Sequence, residues 1–115
     1  MAEHDGGEVC PIVRASKTIG GVWKLVVVRY LLESPMGFNE LMRRIGGISS
    51  KTLSATLKQL QREGMVIREV VSMQPFSVRY CLTEKGRELK PVIDELMRWG
   101  EKWTTPREAE QRTVT

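Results

Sequence analysis

Seven basic side chains fall between residues 43 and 81: Arg43, Arg44, Lys51, Lys58, Arg62, Arg68 and Arg79. Only Glu63 and Glu69 oppose them, which leaves that stretch at +5. A concentration of that sign can attract and hold a polyanion. Lys51, Ser54, Ala55, Lys58 and Arg62 share one face if the segment is a helix turning by about 100° per residue. Small side chains between cations let such a face approach a groove closely. A different chemistry is available at Cys10, which precedes Pro11 at the start of an apolar segment. A helix N-terminus stabilises thiolate, and Arg14 and Lys17 add positive potential while Glu8 opposes it. Other reactive types are thin. His4 is the single histidine, Cys10 and Cys81 have no metal-ligand or disulfide-framework spacing, and Cys81 reads as packing or surface. No Gly-rich phosphate loop and no nucleophile–base pair is visible, so no metal, cofactor or catalytic residue is expected.

The elements that must position these groups are legible from punctuation. Pro11 suits a first helical turn, and that helix runs to Gly20-Gly21. Trp23 to Leu32 follows. Its Val-rich middle fits a buried strand or a helix, but Trp23, Val27, Tyr30 and Leu31 share a helical face, which favours helix. Residues 34–37 form a turn. Phe38, Leu41, Met42 and Ile45 repeat at helical spacing and stop at Gly46-Gly47. Ser49 can cap the next helix, to Glu63, whose Leu53, Leu57 and Leu60 form one narrow apolar stripe. After Gly64 come two strands, Val66 to Met73 and Ser77 to Leu82, around a turn at Gln74-Pro75-Phe76; Val78, Tyr80 and Leu82 alternate with Arg79 and Cys81. Thr83 can cap a final helix reaching about Trp103, with a kink at Pro91.

The reading is therefore an α+β, mainly helical chain: a winged helix-turn-helix with a two-stranded ribbon as wing and flanking N- and C-terminal helices. Ser49, Ser50, Lys51, Thr52, Ser54, Ala55, Lys58 and Arg62 are the candidate double-stranded DNA contacts on the second helix of the pair. The N-terminal N–H groups there can meet a phosphate. Arg68 and Arg79 are the candidates on the ribbon, placed to reach backbone or minor groove. The last helix carries Leu89, Val92, Ile93, Leu96, Met97, Trp99 and Trp103, more apolar surface than one helix of a 115-residue chain needs. Leu89, Val92, Ile93, Leu96, Trp99 and Trp103 are accordingly assigned to a homodimer interface.

Length and composition fit one domain, 41% hydrophobic and 28% charged. Residues 10–103 hold the domain, with 16 basic against 9 acidic residues; residues 1–9 and 104–115 read as loose, acidic tails. The longest apolar run, Leu25 to Val28, is far shorter than the roughly 20 residues a bilayer needs. The N-terminus lacks the apolar core of a signal peptide, so a cytoplasmic protein is expected.

Several stretches together resemble the HxlR family of bacterial and archaeal regulators, which are MarR-like winged-helix proteins. They are Cys10-Pro11-Ile12, Ile19-Gly20-Gly21-Val22-Trp23-Lys24-Leu25, Phe38-Asn39-Glu40-Leu41 and Gly47-Ile48-Ser49-Ser50-Lys51-Thr52-Leu53. The series continues with Leu57-Lys58-Gln59-Leu60, Glu63-Gly64-Met65-Val66, Val78-Arg79-Tyr80-Cys81-Leu82-Thr83-Glu84-Lys85-Gly86 and Trp99-Gly100. The resemblance implies a dimer joined by the first and last helices, with two recognition helices starting near Ser50 and reading a palindromic operator. It also makes Cys10 a candidate regulatory thiol for an oxidant or electrophile. Val22 stands where the family usually has a basic residue. Ser77 replaces a common wing arginine, so the wing contact is expected two positions on, at Arg79. Three other classes remain open: a winged-helix module that binds protein and not DNA, an RNA binder and an enzyme. The basic 43–81 face weighs against the first. No aromatic interleaves with that face, so base stacking lacks a platform. The third has no residues to support it.

Overall fold

The computed structural model describes residues 9–107. The expectations for His4 and for the tails at residues 1–8 and 108–115 lie outside the described residues. Pro11 occupies the first position of α1 (Pro11–Ile19), where its missing N–H breaks no helical bond. Next comes α2 (Val22–Leu31), which is helical despite its run of valines. Val27, Val28 and Leu31 are buried there, with Trp23 and Tyr30 packed at their edge. Tertiary burial outweighs the β preference of those valines.

α3 (Phe38–Ile45) and α4 (Ser50–Arg62) form a helix-turn-helix. The turn depends on Gly46 and Gly47, with φ of 66° and 70°; two successive left-handed residues are cheap only for glycine. Leu53, Leu57 and Leu60, the stripe expected from sequence, are buried against α2, together with Thr56. Ile48, in the loop, is buried beside them.

The antiparallel ribbon of β1 (Val66–Met73) and β2 (Phe76–Leu82) follows, β2 starting one residue earlier than the alternation indicates. Its base is anchored, since Val66 and Leu82 pair with one another and both are buried. A connection invisible in the sequence pattern adds a third, very short edge. Met36, in the turn before α3, exchanges both backbone hydrogen bonds with Tyr80 at 3.2 and 2.7 Å.

The expected single, kinked final helix is two helices. Thr83 does cap the first, its Oγ1 accepting from the Gly86 N–H, but α5 (Glu84–Arg87) lasts one turn. Gly86 is wedged against the ribbon exit, where a Cβ would lie 2.4 Å from the Met65 carbonyl oxygen. α6 (Lys90–Trp103) then starts afresh. Pro91 is its second residue, a position that needs no N–H, so the proline begins a helix instead of bending one.

Candidate nucleic-acid interface

α4 owes its position to its two sides being chemically opposite. The leucine stripe is fully buried, while Lys51, Ala55, Lys58 and Arg62 are exposed and Ser54 half-buried. Ser49 fixes the start: its Oγ accepts from the Thr52 N–H at 3.0 Å and donates to Thr52 Oγ1 at 3.0 Å. Ser49 and Thr52 are thus committed to each other as a cap. The first-turn N–H groups of Ser50 and Lys51 have no carbonyl within the helix to bond, as at any helix start. Around that start lie two small hydroxyl side chains and the positive end of the helix dipole, a setting suited to a phosphate oxygen.

The cations divide into committed and free. Lys51, Lys58, Arg62 and Arg68 are exposed and form no ion pair among the described residues. Arg43, in the last turn of α3, is likewise exposed and unpaired among them. It contributes to the central charge just before the Gly46-Gly47 turn. Arg44 is committed: it reaches Glu33 at 2.5 Å, Arg29 reaches the other carboxylate oxygen at 2.6 Å, and both guanidinium groups lie over the Tyr30 ring. The Arg44 and Arg29 hydrogen bonds hold the Glu33 carboxyl below the usual carboxylate range.

On the ribbon the two candidate arginines are not equivalent. Arg68 pairs with Tyr80 across the strands, and Glu69 pairs with Arg79. Directly opposite residues share a face and successive residues alternate, so Arg68 and Arg79 point to opposite sides. Arg79 is also occupied, its Nε donating to Glu69 Oε1 at 2.7 Å, an interaction that lowers the Glu69 pKa and raises that of Arg79. The ribbon tip carries no charge at all from Val70 to Val78; Met73 and Phe76 are exposed there instead.

The candidate dimer residues also separate. Val92, Leu96, Trp99 and Trp103 recur at i, i+4, i+7 and i+11, and this stripe is exposed, Trp99 at 59% and Trp103 at 63%. Ile93 belongs to the chain's own core at 4% exposure, with Leu89 packed against it. These two have been used within the protomer. α1 has no buried residue, and its Ile12 is 74% exposed. Cys10 occupies the N-cap position of α1, half-buried, with a side chain that makes no capping bond. Cys81 lies on the Glu69 face of the ribbon, its Sγ donating to Glu69 Oε1 at 3.5 Å; burial, then that carboxylate, pushes its pKa up.

Residues 18–108 match the HxlR-like helix-turn-helix family. An HTH-type transcriptional regulator of Halalkalibacterium halodurans is 41% identical over 107 residues, covering 89% of this chain and 95% of its own. Among solved structures, the redox regulator HypR in its oxidised form superposes with a TM-score of 0.78 at 34% identity, over 84% of this chain and 99% of HypR. The reduced transcriptional regulator YodB from B. subtilis gives 0.72 at 32%, over 86% and 98%; YodB is also known in quinone-bound and diamide-treated forms. No helix among the described residues is long and apolar enough to cross a membrane. The chain belongs to the HxlR-like helix-turn-helix family and is a DNA-binding transcriptional regulator with a MarR-like winged-helix fold.

Proposed function

We propose that the protein acts in the cytoplasm as a homodimer on an inverted-repeat operator, one α4 entering the major groove at each half-site. What carries this reading is the outward face of α4. Lys51, Lys58 and Arg62, without an ion pair among the described residues, surround small Ser54 and Ala55, opposite a fully buried leucine stripe. In this reading Ser50 and the first-turn N–H groups take a phosphate, and Ser49 with Thr52 shapes the turn that presents them. Arg68, and not the occupied Arg79, is the wing cation. The Val92, Leu96, Trp99 and Trp103 stripe on α6 pairs with its symmetry mate, and α1, with its exposed Ile12, is assigned to the same subunit pairing. A thiol response at Cys10 to an oxidant or electrophile is part of the proposal. It is supported by the thiol's place at the start of α1 and by the likeness to HypR and to YodB, one form of which binds quinone.

Selection from random duplex DNA tests it. The expected product is an inverted repeat with half-sites centred about 10–10.5 base pairs apart, or a multiple. Trp99→Glu with Trp103→Glu is expected to sediment as a monomer and to keep only non-specific binding. Enrichment of no duplex by the wild type would favour a protein-binding module. A wild-type monomer at micromolar concentration would remove the dimer.

A further inference from the structure

Lys24 is the third residue of α2, and its side chain is only 12% exposed. Its ammonium group donates to the Thr18 carbonyl oxygen at 2.7 Å and to both carboxylate oxygens of Glu63 at 3.2 Å. Thr18 lies in the last turn of α1, and Glu63 is the C-cap residue of α4. One nitrogen therefore ties three helices together. α1 has little else to hold it: none of its residues is buried, and Ile19 is its one side chain among the described residues packed against the core.

Glu63 is poorly placed for helix stability alone, since a carboxylate at a helix C-terminus faces the negative end of the dipole. Two lysines offset it. Besides Lys24, Lys85 donates to the Glu63 backbone carbonyl at 2.7 Å, and Thr83 Oγ1 donates to the next carbonyl, Gly64, at 2.6 Å. The C-terminal end of α4 is thus pinned on one side by the α1–α2 junction and on the other by the segment leaving the ribbon.

We propose that Lys24 is a positioning residue for operator recognition, setting through Glu63 the angle between α1 and α4 and hence the separation of the two reading helices in the dimer. This rests on the reading above, in which α4 meets DNA and α1 lies at the subunit pairing surface. The geometry gives the device leverage. A helix of 13 residues is about 20 Å long, so a swing of about 10° about its pinned end moves the other end by about 3.4 Å, the rise of one base pair. Small losses of stiffness at Lys24 become whole steps of operator spacing.

The test uses the full chain and duplexes carrying the half-sites that the wild type selects, with the spacer lengthened or shortened by one or two base pairs. The wild type is expected to prefer one spacing by tenfold or more over its neighbours. Lys24→Met is expected to keep the half-site sequence and reduce that preference to about twofold, and Lys24→Arg to retain it. Glu63→Ala removes only the α4 side of the bridge, leaves the Thr18 bond and relieves an unfavourable charge at the helix end. It is expected to behave like Lys24→Met, and it decides the matter alone if Lys24→Met does not fold. Full spacing discrimination in folded Glu63→Ala overturns the proposal. If the wild type itself selects no duplex, the reading of α4 fails and this inference fails with it.

Discussion

Arg79 and Glu69 face each other across the ribbon with Nε 2.7 Å from Oε1, on the side of the sheet opposite Arg68. A guanidinium already bonded to a carboxylate has less to offer a phosphate, because contacting DNA would first mean giving up that partner. Arg68 has no such partner among the described residues. Arg68→Ala is therefore expected to reduce the salt dependence of duplex binding by about one phosphate contact per subunit, two for the dimer, whereas Arg79→Ala leaves it nearly unchanged. Binding isotherms from 50 to 200 mM salt distinguish the two. An equal or larger loss for Arg79→Ala would return the wing contact to that residue.

The same carboxylate separates the two thiols. Cys81 is held protonated by burial and by the Glu69 oxygen it donates to, so its thiolate fraction at neutral pH is small. Cys10 stands at a helix start without a capping bond. Iodoacetamide at pH 7.5 is expected to modify Cys10 several-fold faster than Cys81, and Glu69→Gln is expected to speed the reaction at Cys81. Peptide mapping over time gives both rates. Faster labelling of Cys81 in the wild type would contradict this ordering.

Acid should dissect the Glu33 cluster. Its carboxyl titrates below the usual range, chiefly through the Arg44 hydrogen bond and then through that of Arg29. A depressed carboxylate pKa contributes stability that is complete above the unfolded value, about 4.3. That contribution is lost as pH falls through the lower folded value. The difference in melting temperature between wild type and Glu33→Gln is expected to be constant from pH 7 to about 5 and to vanish towards pH 2. High salt should shrink it throughout, since the pair is exposed. A difference that persists at pH 2 would assign the effect to packing.

Legibility followed the range of the interaction. α4 could be read almost to the residue because its cap, Ser49, its stripe, Leu53, Leu57 and Leu60, and its terminator, Gly64, all lie within one short segment. The break between α5 and α6 was not legible as a break, because a proline inside apolar periodicity reads equally as a kink or a new start. The close approach of Gly86 to Met65 fixes where α5 sits against the ribbon exit, and that approach is tertiary. The ribbon register, which sends Arg68 and Arg79 to opposite faces, depends on pairing that alternation alone leaves free to slip. Ile93 looked like its helical neighbours until packing on α2 took it into the core. Lys24 and Glu63 are 39 residues apart, and nothing local marks either as half of a pair.

The outward face of α4 as the DNA-reading surface is the central claim, and Lys51→Ala combined with Lys58→Ala tests it most directly. Neither lysine forms an ion pair among the described residues, and both are exposed, so the double variant should fold with its helical content unchanged. The measurement is the dependence of duplex affinity on salt concentration for the sequence that the wild type selects. If both lysines meet phosphates, affinity falls at every sequence and the slope of log K against log salt drops by about 4 for the dimer, one unit per lost contact and two contacts per subunit. If one of them meets a base edge, binding to the selected site falls by about a further 1–3 kcal/mol per half-site and discrimination at that base relaxes. A folded double variant with the affinity and the salt slope of the wild type would contradict the account.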